Sequence, residues 1–321
     1  MAGVSRSAQV RLDMSQLHNA LAPYRGILVR MTGATIALVL LSAFAHASWN
    51  FLIKRADDAE VFTWWMAVSI NVLLLPFAVV LFWINPPESR GWIFLAATWI
   101  LHVGYFITLS RAYRDGDLSL VYPVARGTGL LLIPIFGVVL LSESMSFIAV
   151  LGVAGIATGV FTLSWWGRFR SIAINPLSVL RAPGMVYALT TGLIIAGYSI
   201  VDKQGVQHVT PLLYMYLMAT SATFGLLPFI VRGRSRSTFV NEWRNNSTAI
   251  VAGGLLQFAA YGMILTAFTM SRVSYIGPFR EVGLLVGVAL GVFVLREPFP
   301  GGRILGAALV ATGAIAVAVA P

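Results

Sequence analysis

The strongest constraint in this chain is a series of ten apolar runs, at residues 33–53, 61–84, 92–112, 118–141, 146–166, 184–203, 211–231, 248–270, 274–295 and 302–320. An α-helix rises about 1.5 Å per residue, so about 20 residues cross the roughly 30 Å hydrocarbon layer of a bilayer. Strands left open in lipid could not satisfy their backbone, so every run is read as a helix. Composition agrees: 58% of the residues are hydrophobic and 11% charged, far from the balance of soluble domains. The expected fold class is therefore an all-α integral membrane protein. Trp64, Trp65, Trp83, Trp92, Trp165 and Trp166 fall near run ends, where an amphipathic ring suits the interface.

The remaining composition excludes function classes. A net charge of +10 would suggest nucleic acid in a soluble protein, but here most arginines lie between apolar runs and read as topology signals. The absence of cysteine removes disulfide and thiolate chemistry. His18, His46, His102 and His208 are too scattered to suggest a zinc site, and no HExxH, GxSxG or P-loop occurs. No enzymatic activity, cofactor or metal is expected, so uphill movement of a solute would draw on an ion gradient or exchange. Residues 1–30 are polar and basic without an apolar core, and the first apolar run is too long for a cleavable signal, so none is expected.

An internal repeat sets the organisation. Sliding the chain on itself by about 154 residues lays ARGTGLLLIPIFGVVLLSE (125–143) over FREVGLLVGVALGVFVLRE (279–297). Arg126 then meets Arg280, Gly129 meets Gly283, Glu143 meets Glu297, Gly152 meets Gly306 and Gly159 meets Gly313. The chain divides into a polar tail (1–31), a first five-helix unit (32–167), a linker (168–183) and a second five-helix unit (184–321). An odd number of spans per unit inverts the second copy, so the expected architecture is ten transmembrane helices as a 5+5 inverted repeat around a central cavity. Loops after odd-numbered spans carry 13 Lys and Arg against 3 after even ones, which places both termini outside, while the four arginines of the tail pull the other way.

HASWNFLIK (46–54), RAYRDGDLSLVYPVARGT (111–128), LSE (141–143), GYSIVDKQG (197–205) and PFREVGLLVGVALGVFVLRE (278–297) together resemble the EamA-type proteins of the drug/metabolite transporter superfamily. The likeness covers about residues 31–320. It implies ten helices in two inverted units around a cavity that carries metabolites, drugs or nucleotide-linked sugars by alternating access. It also implies cytoplasmic termini, against the arginine count. Where that family usually reads RETS on the ninth helix, this chain has Arg280, Glu281, Val282 and Gly283, so two small hydroxyls are missing.

The intramembrane charges carry the functional reading. A charge near the centre of a lipid-facing helix costs about 2.5–3.5 kcal/mol, so Arg126 and Arg280 should face a wet interior. They either form a symmetric pair of planar forks for a phosphate, phosphonate or carboxylate, or one of them neutralises Glu281. Two arginines and one glutamate leave one positive charge, which favours an anionic or zwitterionic organic metabolite. For Glu281, burial favours the protonated form and a neighbouring arginine the charged form, so proton coupling and a permanent ion pair are both open. Asp202 is the second candidate for proton coupling.

His46, Trp49 and Asn50 share one helix face and suit a cavity wall, and Asn50 could equally bond to another helix. Lys54 extends that stripe, Tyr198 and Asp202 match it on the sixth span, and Tyr122 lies one turn before Arg126. Weaker candidates are His102, Gln257 and Tyr261, for which packing is the simpler role. Pro123, Pro134 and Pro278 permit bending. Glu143 and Glu297 read as capping or interfacial groups. Glycines 155 and 159, 283, 287 and 291, and 302 and 306 give faces that let helices approach closely. The expected function is a secondary transporter of the bacterial inner membrane, with lipid and a small molecule as partners, no nucleic acid, and a monomer as the default with a dimer left open. The alternatives are an exporter of cationic or aromatic compounds, or a flippase gripping a lipid phosphate.

Overall fold

A computed structural model describes residues 31–53, 56–166, 181–293 and 301–321. The tail (1–30), most of the linker, Lys54 and Glu297 lie outside the described residues. The first half comprises α1 (Gly33–Ile53), α2 (Ala59–Leu73), α3 (Leu75–Ile84), α4 (Gly91–Asp115), α5 (Leu118–Leu141) and α6 (Phe147–Trp165). The second comprises α7 (Met185–Gly205), α8 (Pro211–Ile230), α9 (Arg236–Met270), α10 (Val273–Phe279), a 3-10 turn (Arg280–Val282), α11 (Gly283–Phe293) and α12 (Gly301–Val319). Among the described residues, eight helices are long and apolar enough to cross a membrane, nine if α2 and α3 count as one bent span.

Three runs read as simple spans are not. The second breaks at Leu74 with a 55° bend, because Pro76 opens α3 and supplies no backbone N–H to the turn before it. The ninth is interrupted by the 3-10 turn at Arg280–Val282, directly after Pro278. The eighth starts at Arg236 rather than 248: Ser235 caps it by accepting the Thr238 N–H, and buried Glu242 ties its polar first turns to the α1–α2 connection by accepting the Asp58 N–H at 2.7 Å. Asp58 in turn caps α2. Burial alone would raise its carboxyl, but the hydrogen bond from Arg234 and the Val61 and Glu60 amides hold it below the usual carboxylate range.

Large apolar side chains face outward all round: Ile100, Phe147, Val186 and Phe224 are each more than 70% exposed, which suits lipid and not water. Trp83, Trp92 and Trp166 are exposed near helix ends, as interfacial rings are. Trp64 and Trp65 also have partners within the protein. Their indole N–H groups donate to the Thr223 and Phe239 carbonyls at 2.9 and 3.0 Å.

Small residues lock the scaffold. α6 lies against α12 so closely that a Cβ on Gly152 would sit 2.8 Å from the Gly313 oxygen, and one on Gly159 2.8 Å from the Gly306 oxygen. Gly287 has nothing within 4 Å of such a Cβ, and so it borders open space rather than a neighbouring helix. The expectation that it packs is corrected accordingly. Replacing Gly159 with leucine should separate α6 from α12 at a cost of about 1–3 kcal/mol, seen as a lower melting midpoint in detergent, whereas Gly287→Ala should leave that midpoint unchanged.

Candidate functional site

A cavity of about 1330 Å³ runs into the bundle between the two halves. Its mouth lies among the ends of α1, α4 and α8 and the starts of α2 and α12, where Asn50, Glu60, Arg111 and Arg114 are exposed. Its floor is formed by Tyr198 of α7, Ala260, Tyr261 and Ile264 of α9, and Ser42 of α1. Beyond the floor the connections are tied shut, by bonds across the two halves and within the second. Glu143 accepts the N–H groups of Val273 and Ser274 at 2.9 Å each, which caps α10. Lys203 donates to the Phe268 and Ser271 carbonyls, and Arg272 to the Ser144 carbonyl at 2.7 Å. His208 Nδ1 lies 2.7 Å from Glu88 Oε2. The cavity is thus open at one end only.

The two arginines reach the wall by different routes. α5 stays helical through Arg126, whereas Arg280 opens the 3-10 turn. Glu281, 3% exposed and absent from the wall itself, turns away from its chain neighbour and accepts a 2.8 Å hydrogen bond from Arg126 Nη2. Arg280 Nε lies 4.0 Å from Glu281 Oε1, beyond hydrogen-bond reach. Among the described residues no acceptor lies within hydrogen-bond distance of Arg280, whose guanidinium borders the cavity. Of the two alternatives open in the sequence, the geometry favours the asymmetric one: Arg126 is hydrogen-bonded to Glu281, and Arg280 keeps only a 4.0 Å ion-pair contact with it.

The rest of the wall is aromatic and basic. His46 and Trp49 meet edge to face at 4.9 Å, and Asn50 donates to the His46 carbonyl at 2.7 Å, within its own helix and not across to another. Tyr122 and Tyr198 line the cavity as expected. Asp202 does not: it is fully buried one layer behind, accepting hydrogen bonds from Tyr214 at 2.8 Å and from Tyr261 at 2.5 Å. Tyr261 is therefore a wall residue anchored from behind, more than the packing group expected of it. His102 stacks on Tyr198 at 4.4 Å and bonds within its own helix to Thr98.

Sequence reasoning missed Tyr105 and Tyr113 on α4, and counted Arg111, Arg114 and Arg303 among the topology signals without singling them out for the pathway; all five line the cavity. Arg111, Tyr105 and Tyr113 share a helix whose charges all sit at its end, so no charge draws attention to its middle. Against five wall arginines stands one wall carboxylate, Glu60, which pairs with Arg234 at 3.1 Å. Among the described residues no cluster of three or more His, Cys, Asp or Glu could hold a metal.

A bundle of membrane-crossing helices closed round a deep cavity lined with arginine and aromatic side chains defines a multi-pass integral membrane protein built to hold a solute. The profile of the EamA-like transporter family matches residues 33–165 and again 182–319, and the chain belongs to that family. It is 33% identical over 84 residues to an "Uncharacterized transporter in cobO 3'region" of Sinorhizobium sp, a match spanning 26% of this chain and 59% of that relative. A solved structure described as "Crystal structure of protein" covers 89% of this chain and 95% of its own at a TM-score of 0.60 and 20% identity, a likeness of fold alone.

The geometry separates the two arginines in the laboratory. Arg126→Ala strands the buried Glu281 carboxylate and should cost about 3 kcal/mol, recovered largely in Arg126→Ala/Glu281→Ala. Arg280→Ala strands nothing. It should leave the detergent melting midpoint within about 0.5 kcal/mol of the parent. Equal destabilisation by the two single changes would contradict the assignment.

Proposed function

We propose that the protein is a secondary transporter that moves a small anionic or zwitterionic organic metabolite across a bacterial inner membrane by alternating access, working as a monomer. The observation that carries the reading is the Arg280 guanidinium, which borders the cavity with no hydrogen-bond acceptor among the described residues. A fork of five donors in a wet, low-dielectric recess suits a carboxylate or phosphate, whose oxygens it can meet in pairs. The surplus of arginine on the wall raises the local concentration of such a solute.

Ten spans in a 5+5 inverted repeat provide the motion. The support is in the helix pairing: α1 packs on α9 and α11, and their counterparts α7 on α4 and α5, while α6 pairs with α12 and α5 with α10 across the halves. Exchanging the halves maps this set onto itself. The Gly152–Gly313 and Gly159–Gly306 approaches are exchanged in the same way. In such a repeat each half can adopt the other's conformation, so the open and sealed ends swap. The ties at Glu143, Lys203 and Arg272 would then break as the far side opens. Glu281 would keep its partner Arg126 through the cycle, and Asp202, reached through the Tyr261 hydroxyl, would be the carboxylate nearest the cavity floor for a coupled proton.

In proteoliposomes, a screen of labelled organic anions and zwitterions against size-matched cations should give accumulation of members of the first set. Arg280→Gln should reduce that uptake at least tenfold. Uptake of cations alone, or anion uptake indifferent to Arg280, would contradict the proposal.

A further inference from the structure

Beside the main cavity lies a second, smaller one of about 70 Å³, enclosed by α2, α4, α8 and α9. Thr63, Trp64, Phe106 and Leu226 border both spaces, so a single layer of side chains divides them. The inner wall is carbon and thioether: Ala67, Ile70, Met215, Met218, Ala219 and Ala222. Its polar groups, apart from the Gln257 amide on the α9 side, are largely spent. Thr63 bonds to the Ala59 carbonyl, the Trp64 N–H to the Thr223 carbonyl, Ser221 to the Met218 carbonyl and His102 to Thr98. Water entering there would find few partners besides the Gln257 amide, whereas an alkyl group gains by leaving water for the apolar wall.

The geometry points to this recess as a subsite for a short apolar group of the cargo, whose charged end sits at Arg280. It rests on the anion reading of the main cavity and narrows it to an amphipathic organic anion. At roughly 30 Å³ per methyl-sized group, the space takes about two such groups. Three alanines make the room, since any larger side chain at Ala67, Ala219 or Ala222 would occupy it. Two methionines give the wall some adaptability. Trp64 and Phe106 form the threshold, and the Trp64 ring is held by its bond to the Thr223 carbonyl.

The test uses the purified full chain in detergent, with unbranched carboxylates of two to eight carbons titrated calorimetrically. Affinity should rise about fourfold for each carbon that enters the recess, then level off at a defined chain length. Ala222→Val fills the space with two further methyl-sized groups and should move that break about two carbons shorter. Ala67→Val, on the opposite wall, should do the same and stands in if the first variant does not fold. Met218→Ala should move the break longer. A smooth rise without a break, or a break that none of these variants moves, would overturn the subsite while leaving the anion reading intact. If carboxylates fail to bind but the matching alkylammonium series shows the break and its shift in Ala222→Val, the subsite stands and the anion reading falls.

Discussion

A guanidinium in hydrocarbon is costly enough that a fold carrying two of them must provide either a partner or water for each. Here Arg126 is given a partner and Arg280 an open cavity. Arg126, on an unbroken helix of the first half, is bonded to Glu281 of the second, so the two halves are joined at the centre by an ion pair that neither could satisfy alone. Arg280 has no such bond and faces the cavity. The division follows from local geometry: adjacent residues on a helical turn point in different directions, so Glu281 cannot readily serve Arg280 and reaches across to Arg126.

Around this centre the bilayer sets the remaining choices. The outer surface is apolar, and the close approach of α6 and α12 rests on glycine because shape, rather than water exclusion, holds helices together in lipid. Three carboxylates away from the cavity are bonded inside the protein: Asp202 by two tyrosines, Glu242 by a backbone amide, Glu143 by two. Five arginines, by contrast, collect on the cavity wall. That segregation distinguishes a wall that can exchange partners with a solute from a scaffold that cannot.

Much of this was legible in the sequence. The apolar runs mark the helices because their length is dictated by bilayer thickness, and the 154-residue register pairs Arg126 with Arg280 before any coordinates. His46, Trp49, Asn50, Tyr122 and Tyr198 reach the wall as their spacing implied. Asp202 does not, although it stands four residues from Tyr198, because that face of α7 runs past the cavity floor and under Tyr261. The break at Leu74 and the turn at Arg280 depend on how a proline's missing donor is accommodated by neighbours that hydropathy does not reveal. The wall tyrosines of α4 carry no pattern to separate them from packing residues.

The central claim is that the recess is wet and positive because of Arg280. The chain has no cysteine, so a single one at Gly287, which borders open cavity, can report the local potential. The measurement is the ratio of its reaction rates with negatively and positively charged methanethiosulfonates at low salt. The account predicts faster reaction with the anionic reagent and a fall in that ratio on adding Arg280→Gln. Preference for the cationic reagent, or no reaction with either, would contradict it.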